Sequence, residues 1–144
     1  MPVDVVAAPD DSELDDHVWI RLAARLSSED ESSVGSLDAD LRSYYVTRFF
    51  EWERDSGGPT AFLAFGSQIG RFVSDGYRHL DLHESADAFD HFWFLPAVQR
   101  LREDEAYEPS DEEDLAMEVA SEAVGRHDSE RIAFVRRHPE AFSI

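Results

Sequence analysis

Apolar residues recur along most of the chain at helical spacing. Leu14, Val18, Leu22 and Leu26 fall at four-residue steps, the stripe that an amphipathic helix requires. Ser12, three residues before Asp15, supplies an acidic variant of a capping box at its start. Residues 1–11, punctuated by Pro2 and Pro9 and poor in apolar periodicity, are expected to form a flexible N-terminal segment. Ser27 to Gly35 is polar and acidic and predicts a loop. Ser36 then stands as the cap of a long helix with Leu37, Leu41, Tyr44, Tyr45, Phe49 and Trp52 on its apolar side. Gly57-Gly58-Pro59 ends that helix and opens another, with Pro59 suited to a first helical position.

A further period runs through Ile69, Phe72, Val73, Tyr77 and Leu80, interrupted by Gly70 and Gly76, whose lack of a side chain points to close packing on a neighbour. Ser85 to Leu101 is apolar around much of its circumference, which predicts the central core helix, and Pro96 predicts a kink or a break in it. Arg102 to Pro109 reads as an acidic loop. Ser110 and Glu113 form an S-x-x-E capping box, followed by Leu115, Val119 and Ala123 at four-residue steps and stopped by Gly125. A last helix carries Ile132 and Val135, places Arg136 and Arg137 at its C-terminal end, and stops before Pro139. No segment alternates as a strand does. The expected architecture is therefore all-α: a single irregular domain of about six helices spanning residues 12–144.

Composition narrows the chemistry. The 144 residues include no cysteine, which removes disulfides, thiolate catalysis and thiolate-ligated zinc. The chain shows neither an 18-residue apolar run nor a basic-then-apolar start, so a cytoplasmic protein without a membrane span is expected. Signatures of the common hydrolases, phosphate-binding loops and zinc proteases are missing. No catalytic site and no cofactor are predicted. His79, His83, Asp87 and His91 follow at four-residue steps and would line one face of an unbroken helix, as ligands of a divalent ion must. Ser85 reads as a fresh N-cap that destroys that register, so no metal ligand is assigned and weak divalent-metal binding stays an alternative.

Charge is the property that asks for explanation. Thirty-two acidic residues face 13 basic ones, all arginine, for a net charge of −19. Direct binding to nucleic acid is excluded, because phosphate repulsion replaces the counterion release that drives it. The acid is uneven. Glu103, Asp104, Glu105, Glu108, Asp111, Glu112, Glu113, Asp114 and Glu118 follow one another without a basic residue between them, whereas residues 126–137 hold four arginines against Asp128 and Glu130. Duplex DNA carries one charge per ~1.7 Å of axis, roughly 110 Å² of surface per charge on a cylinder of ~10 Å radius. A folded chain of this mass exposes about 7,500 Å², or roughly 400 Å² per net charge. The average is about fourfold too dilute, so imitation of DNA demands clustering, and the 103–118 run is where to find it.

The segment Tyr44 to Gly58, an aromatic and acidic helix ending in Gly57-Gly58, resembles the family of DNA mimic protein 19, whose corresponding helix leads into an Asn-Gly-Gly-Phe turn followed by Gln. His138-Pro139-Glu140-Ala141-Phe142 is similar to the family's Pro-Glu-x-Phe ending, and the likeness runs from about Leu41 to Phe142. Ser56, Pro59 and Ala61 depart from the family's Asn, Phe and Gln, so the turn is kept while its polar signature is lost. Glu53, Gly57 and Gly58 match, with a structural role at the helix end. The resemblance implies an all-α fold, an acidic surface, dimerisation and, as for the named member, a transcription factor bound in place of DNA. The expectation is thus an acidic interaction module whose partner is a basic DNA-binding protein, with the nine acids of 103–118 as contact set. The alternatives are a family domain whose acidity only solvates it, acting through an apolar groove around Trp52 and Trp93, and the weak metal site.

Overall fold

The computed structural model describes residues 10–26 and 31–144. Among them the chain forms nine α-helices and one 3-10 turn: α1 Asp11–Arg25, α2 Glu31–Gly35, α3 Ala39–Gly57, α4 Pro59–Gly66, the 3-10 turn Gly70–Phe72, α5 Val73–His79, α6 His83–Trp93, α7 Pro96–Glu103, α8 Asp111–Ala123 and α9 Asp128–Arg137. The all-α class holds, and the helices exceed six for two reasons. The 31–35 stretch, expected as loop, closes a short turn of helix. Pro96 also breaks the expected long helix outright into α6 and α7 by occupying the first turn of the second, where its missing N–H costs no hydrogen bond. The expected flexibility of residues 1–11 lies outside the described residues for 1–9, while Asp10 caps α1 and Asp11 begins it.

Caps fall close to the positions expected. Asp10, not Ser12, caps α1, its Oδ1 accepting from the backbone N–H groups of Ser12 and Glu13 at 2.8 and 3.2 Å. Asp38, not Ser36, caps α3 through Leu41 N–H. Each replacement is an aspartate two residues from the serine, a side chain equally able to satisfy orphan N–H groups. Ser110 and Glu113 form the reciprocal capping box on α8 as expected. Ser85 is not a cap: α6 begins at His83, and the buried Ser85 hydroxyl donates to the Val124 carbonyl at 2.7 Å. Gly125, with φ of +84°, turns the chain out of α8.

The centre of the molecule is α3, not the Ser85–Leu101 stretch. Ten of its 19 residues are buried, and it packs against α1, α4 and α5, while α6 bridges α5 to α8 and α1 meets α9. Phe50 on α3 sits edge-on to Phe62 of α4 and Phe89 of α6, centroids 5.0 Å away in each case, an arrangement aromatic quadrupoles favour. Both inner glycines are sites of close approach. A Cβ at Gly76 would press on Val46 and Thr47 of α3, and one at Gly70 would lie inside the Trp93 ring.

Two sets of apolar residues face the other way. Trp52 is 60 % exposed, and Leu115 and Val119 are similarly open, with Ala123 exposed beside them. The buried side of α8 is made instead by Met117, Ala120, Ser121 and Val124, which also follow helical spacing. Small residues allow α8 to lie close to α6, and the larger Leu and Val point opposite.

Candidate functional site

The nine acids of 103–118 follow one another from the end of α7 through the connection onto α8. Glu103 ends α7, Asp104, Glu105 and Glu108 stand on the connection 104–110, and Asp111, Glu112, Glu113, Asp114 and Glu118 lie on α8. Eight are exposed and Glu113 is half-buried. Four acids in the first turn of α8 lie where the helix dipole stabilises negative charge, so local structure tolerates their crowding. Asp111, Asp114, Glu118 and Glu122 share one side of the helix at three- and four-residue steps.

None of the nine forms an ion pair within 4 Å among the described residues, whereas many acids elsewhere do. Arg48 holds Asp15 at 3.1 Å, Arg71 holds Glu31 at 2.6 Å, and Arg136 of α9 holds Asp11 of α1 at 2.8 Å. Arg78 reaches Asp75, Asp87 and Asp90. The two arginines nearest the run in sequence are turned onto aromatic faces: Arg102 stacks over Trp93 at 3.8 Å and Arg100 over Tyr107 at 5.3 Å. The run therefore holds no close ion pair among the described residues, and its cationic neighbours act at longer range, Arg100 on Glu113 and Arg102 on Glu103.

Two of the nine do local structural work. Glu113 Oε1 accepts from Ser110 N–H at 3.0 Å and from the Tyr107 hydroxyl at 2.7 Å. These bonds, the backbone one first, hold its carboxyl below the ordinary carboxylate value. Asp104 Oδ1 accepts from Ala106 N–H at 3.0 Å and shapes the loop.

A second site was not legible in the sequence. A cleft of about 430 Å³ opens between α1, α3 and α9, lined among others by Asp16, Arg48, Glu51, Trp52, Asp55 and Arg131. Beneath it Glu51, 2 % exposed, faces Arg131, 1 % exposed. Glu51 Oε2 accepts from Arg131 Nη1 at 2.6 Å and from the Tyr77 hydroxyl at 2.5 Å. Its Oε1 accepts from Arg131 Nη2 at 2.8 Å and from His127 N–H at 2.7 Å. Four donors converge on one carboxylate, so no lone pair is left to take a substrate proton, and the pair ties α3 to α5 and α9. Burial by itself disfavours the Arg131 charge, but the hydrogen bond and charge of Glu51 outweigh it and raise the guanidinium further. Burial, then the Glu51 charge, pushes the Tyr77 hydroxyl far up, so it remains a proton donor. The available signal was Glu51 itself, placed on the same helix face as Tyr44 and Thr47.

The histidines do not converge. A break at Asp81, with φ of +66°, separates α5 from α6. His79 Nε2 meets Asp40 at 2.7 Å and His83 Nε2 meets Asp81 at 2.9 Å, while His91 is exposed. Among the described residues no group of three ligating side chains is placed to hold a metal ion. Nor do Trp52 and Trp93 share a groove: Trp93 is buried against Gly70 under Arg102. No described helix is long and apolar enough to cross a membrane. Comparison with protein-family models, with curated proteins and with solved structures finds no match.

Proposed function

We propose that this protein is a non-enzymatic interaction module that presents carboxylates to a basic DNA-binding protein, such as a transcription factor, with the 103–118 face as its principal contact. The observation that supports this is that no acid of that run forms an ion pair among the described residues, while arginines hold acids of α1, α6 and α9. Uncompensated charge raises the local potential, steers an oppositely charged partner and is neutralised on binding. The five acids of α8 from Asp111 to Glu118 span roughly 10 Å of helix at 1.5 Å per residue, about 2 Å of axis per charge. Duplex DNA carries one per ~1.7 Å, so the acids of α8 approach that linear spacing, with Asp111, Asp114 and Glu118 on one side of the helix. A second reading, an acidic coat that only solvates the fold, draws on the average: −19 over 7,845 Å² is about fourfold more dilute than DNA.

The test is capture of a partner on immobilised protein, elution with a salt gradient, and competition with duplex DNA. A variant with Glu103, Glu105 and Glu112 changed to Gln and Asp104 to Asn removes charge while keeping the Glu113 cap. The expected result is a nucleic-acid-binding protein released by salt and by DNA, and lost from the variant. Equal recovery on both baits, or retention in the presence of excess DNA, would overturn the proposal.

A further inference from the structure

Each of the three tryptophans stands in a different setting. Trp19 lies under the Arg48 guanidinium, 4.4 Å from its centroid, and Trp93 lies under Arg102 at 3.8 Å. Trp52, 60 % exposed, has no arginine over it and no ring against it among the described residues. It stands in the cleft between α1, α3 and α9, with Asp55 three residues further along the same helix face. The cleft walls carry six carboxylates, Asp11, Asp15, Asp16, Glu51, Asp55 and Asp128, against three guanidiniums. Most of these are engaged, but Asp16, 65 % exposed, has only a 3.8 Å approach to Arg48.

We infer that this cleft receives an arginine side chain of the partner, stacked on Trp52 and paired with Asp16, beside Asp55, which already holds Arg54 at 3.0 Å; the inference rests on the proposed function for the partner's basic character. A guanidinium is planar, weakly hydrated and fork-shaped, so it stacks on an indole while bonding a carboxylate in its plane, which an ammonium does less well. The chain already makes this contact once within itself, where Arg48 lies over Trp19 and holds Asp15, and it stacks a second arginine, Arg102, on Trp93.

The partner segment is extended rather than a single residue. A second cleft, about 740 Å³, shares Asp55 and Arg126 with the first and runs beside Asp114, Glu118 and Glu122 of α8. An unfolded basic segment anchored at Trp52 therefore continues onto two of the nine acids of the 103–118 run.

The experiment is calorimetric titration of the full chain with two synthetic dodecapeptides, one alternating arginine and glycine and the other lysine and glycine. Wild type, Trp52→Ala, Trp52→Phe and the four-residue 103–112 charge variant are compared, with thermal melts to show that each is folded. Wild type is expected to bind the arginine peptide more tightly than the lysine peptide. Trp52→Ala should weaken arginine binding roughly three- to tenfold and abolish the preference, consistent with one cation–π contact, and Trp52→Phe should restore part of it. Equal affinity for the two peptides, no binding of either, or an unchanged Trp52→Ala variant overturns the inference. Loss of binding in the charge variant with no effect of Trp52→Ala discards the cleft and leaves the acidic-face reading standing. The converse discards that reading and leaves the cleft.

Discussion

Glu51→Gln isolates what burial does to an ion pair. The substitution keeps the side-chain shape but offers one acceptor oxygen where four donors now converge at 2.5–2.8 Å. The Tyr77 hydroxyl can reverse and accept from the new amide, but one Arg131 nitrogen then faces another donor, and the buried guanidinium has no anion at its fork. Breaking a buried pair in this way costs about 3–5 kcal/mol. For a chain of this length that corresponds to a fall in Tm of roughly 10–20 °C. Glu31→Gln is the control. Its partner Arg71 sits at the same 2.6 Å, yet both side chains are more than half exposed, and such pairs contribute less than about 1 kcal/mol. Urea denaturation followed by far-UV circular dichroism gives both free energies from the shift in midpoint at constant slope. Equal losses in the two variants, or less than about 1 kcal/mol for Glu51→Gln, would refute the argument that burial decides.

Gly70→Ala should destabilise by about 1–3 kcal/mol, the usual cost of overpacking, because its methyl would enter the Trp93 ring; thermal melts check it, and Trp93→Phe in the same chain should recover part. Ser110→Ala should cost about 1 kcal/mol at neutral pH through loss of the α8 cap, measured by the same denaturation. Since Glu113 is depressed in the folded state, its contribution is present above the unfolded value near 4.3 and is lost as pH falls through the lower folded value. Glu113→Gln should therefore flatten the acid limb of a melt-versus-pH profile below about pH 4, and an unchanged limb would count against the cap as its origin.

Helix positions were readable where large apolar residues and caps agreed, as in Leu14, Val18 and Leu22 or the Ser110–Glu113 box. They failed where small residues decided the buried side. Met117, Ala120, Ser121 and Val124 outrank Leu115 and Val119 because close helix approach favours small groups, a choice dictated by α6 and invisible locally. Trp52 failed for a related reason: α3 is enclosed on so many sides that its open face is set by α1 and α9. The acidic run could be read residue by residue, but its lack of close ion pairs could not, since pairs such as Arg136 with Asp11 join residues 125 apart in the chain. The Glu51–Arg131 pair, 80 residues apart, was beyond reach for the same reason.

That separation bears on how the chain matures at the ribosome. Helix α3 is complete long before the residues that neutralise its inner carboxylate have been synthesised, and until they arrive Glu51 must stay hydrated. Loop closure over such a distance comes late and is entropically expensive, so the centre of the molecule stays open until α9 docks. Fragments ending before Arg131 would leave that carboxylate without its guanidinium, so folding should be cooperative and require the chain through α9.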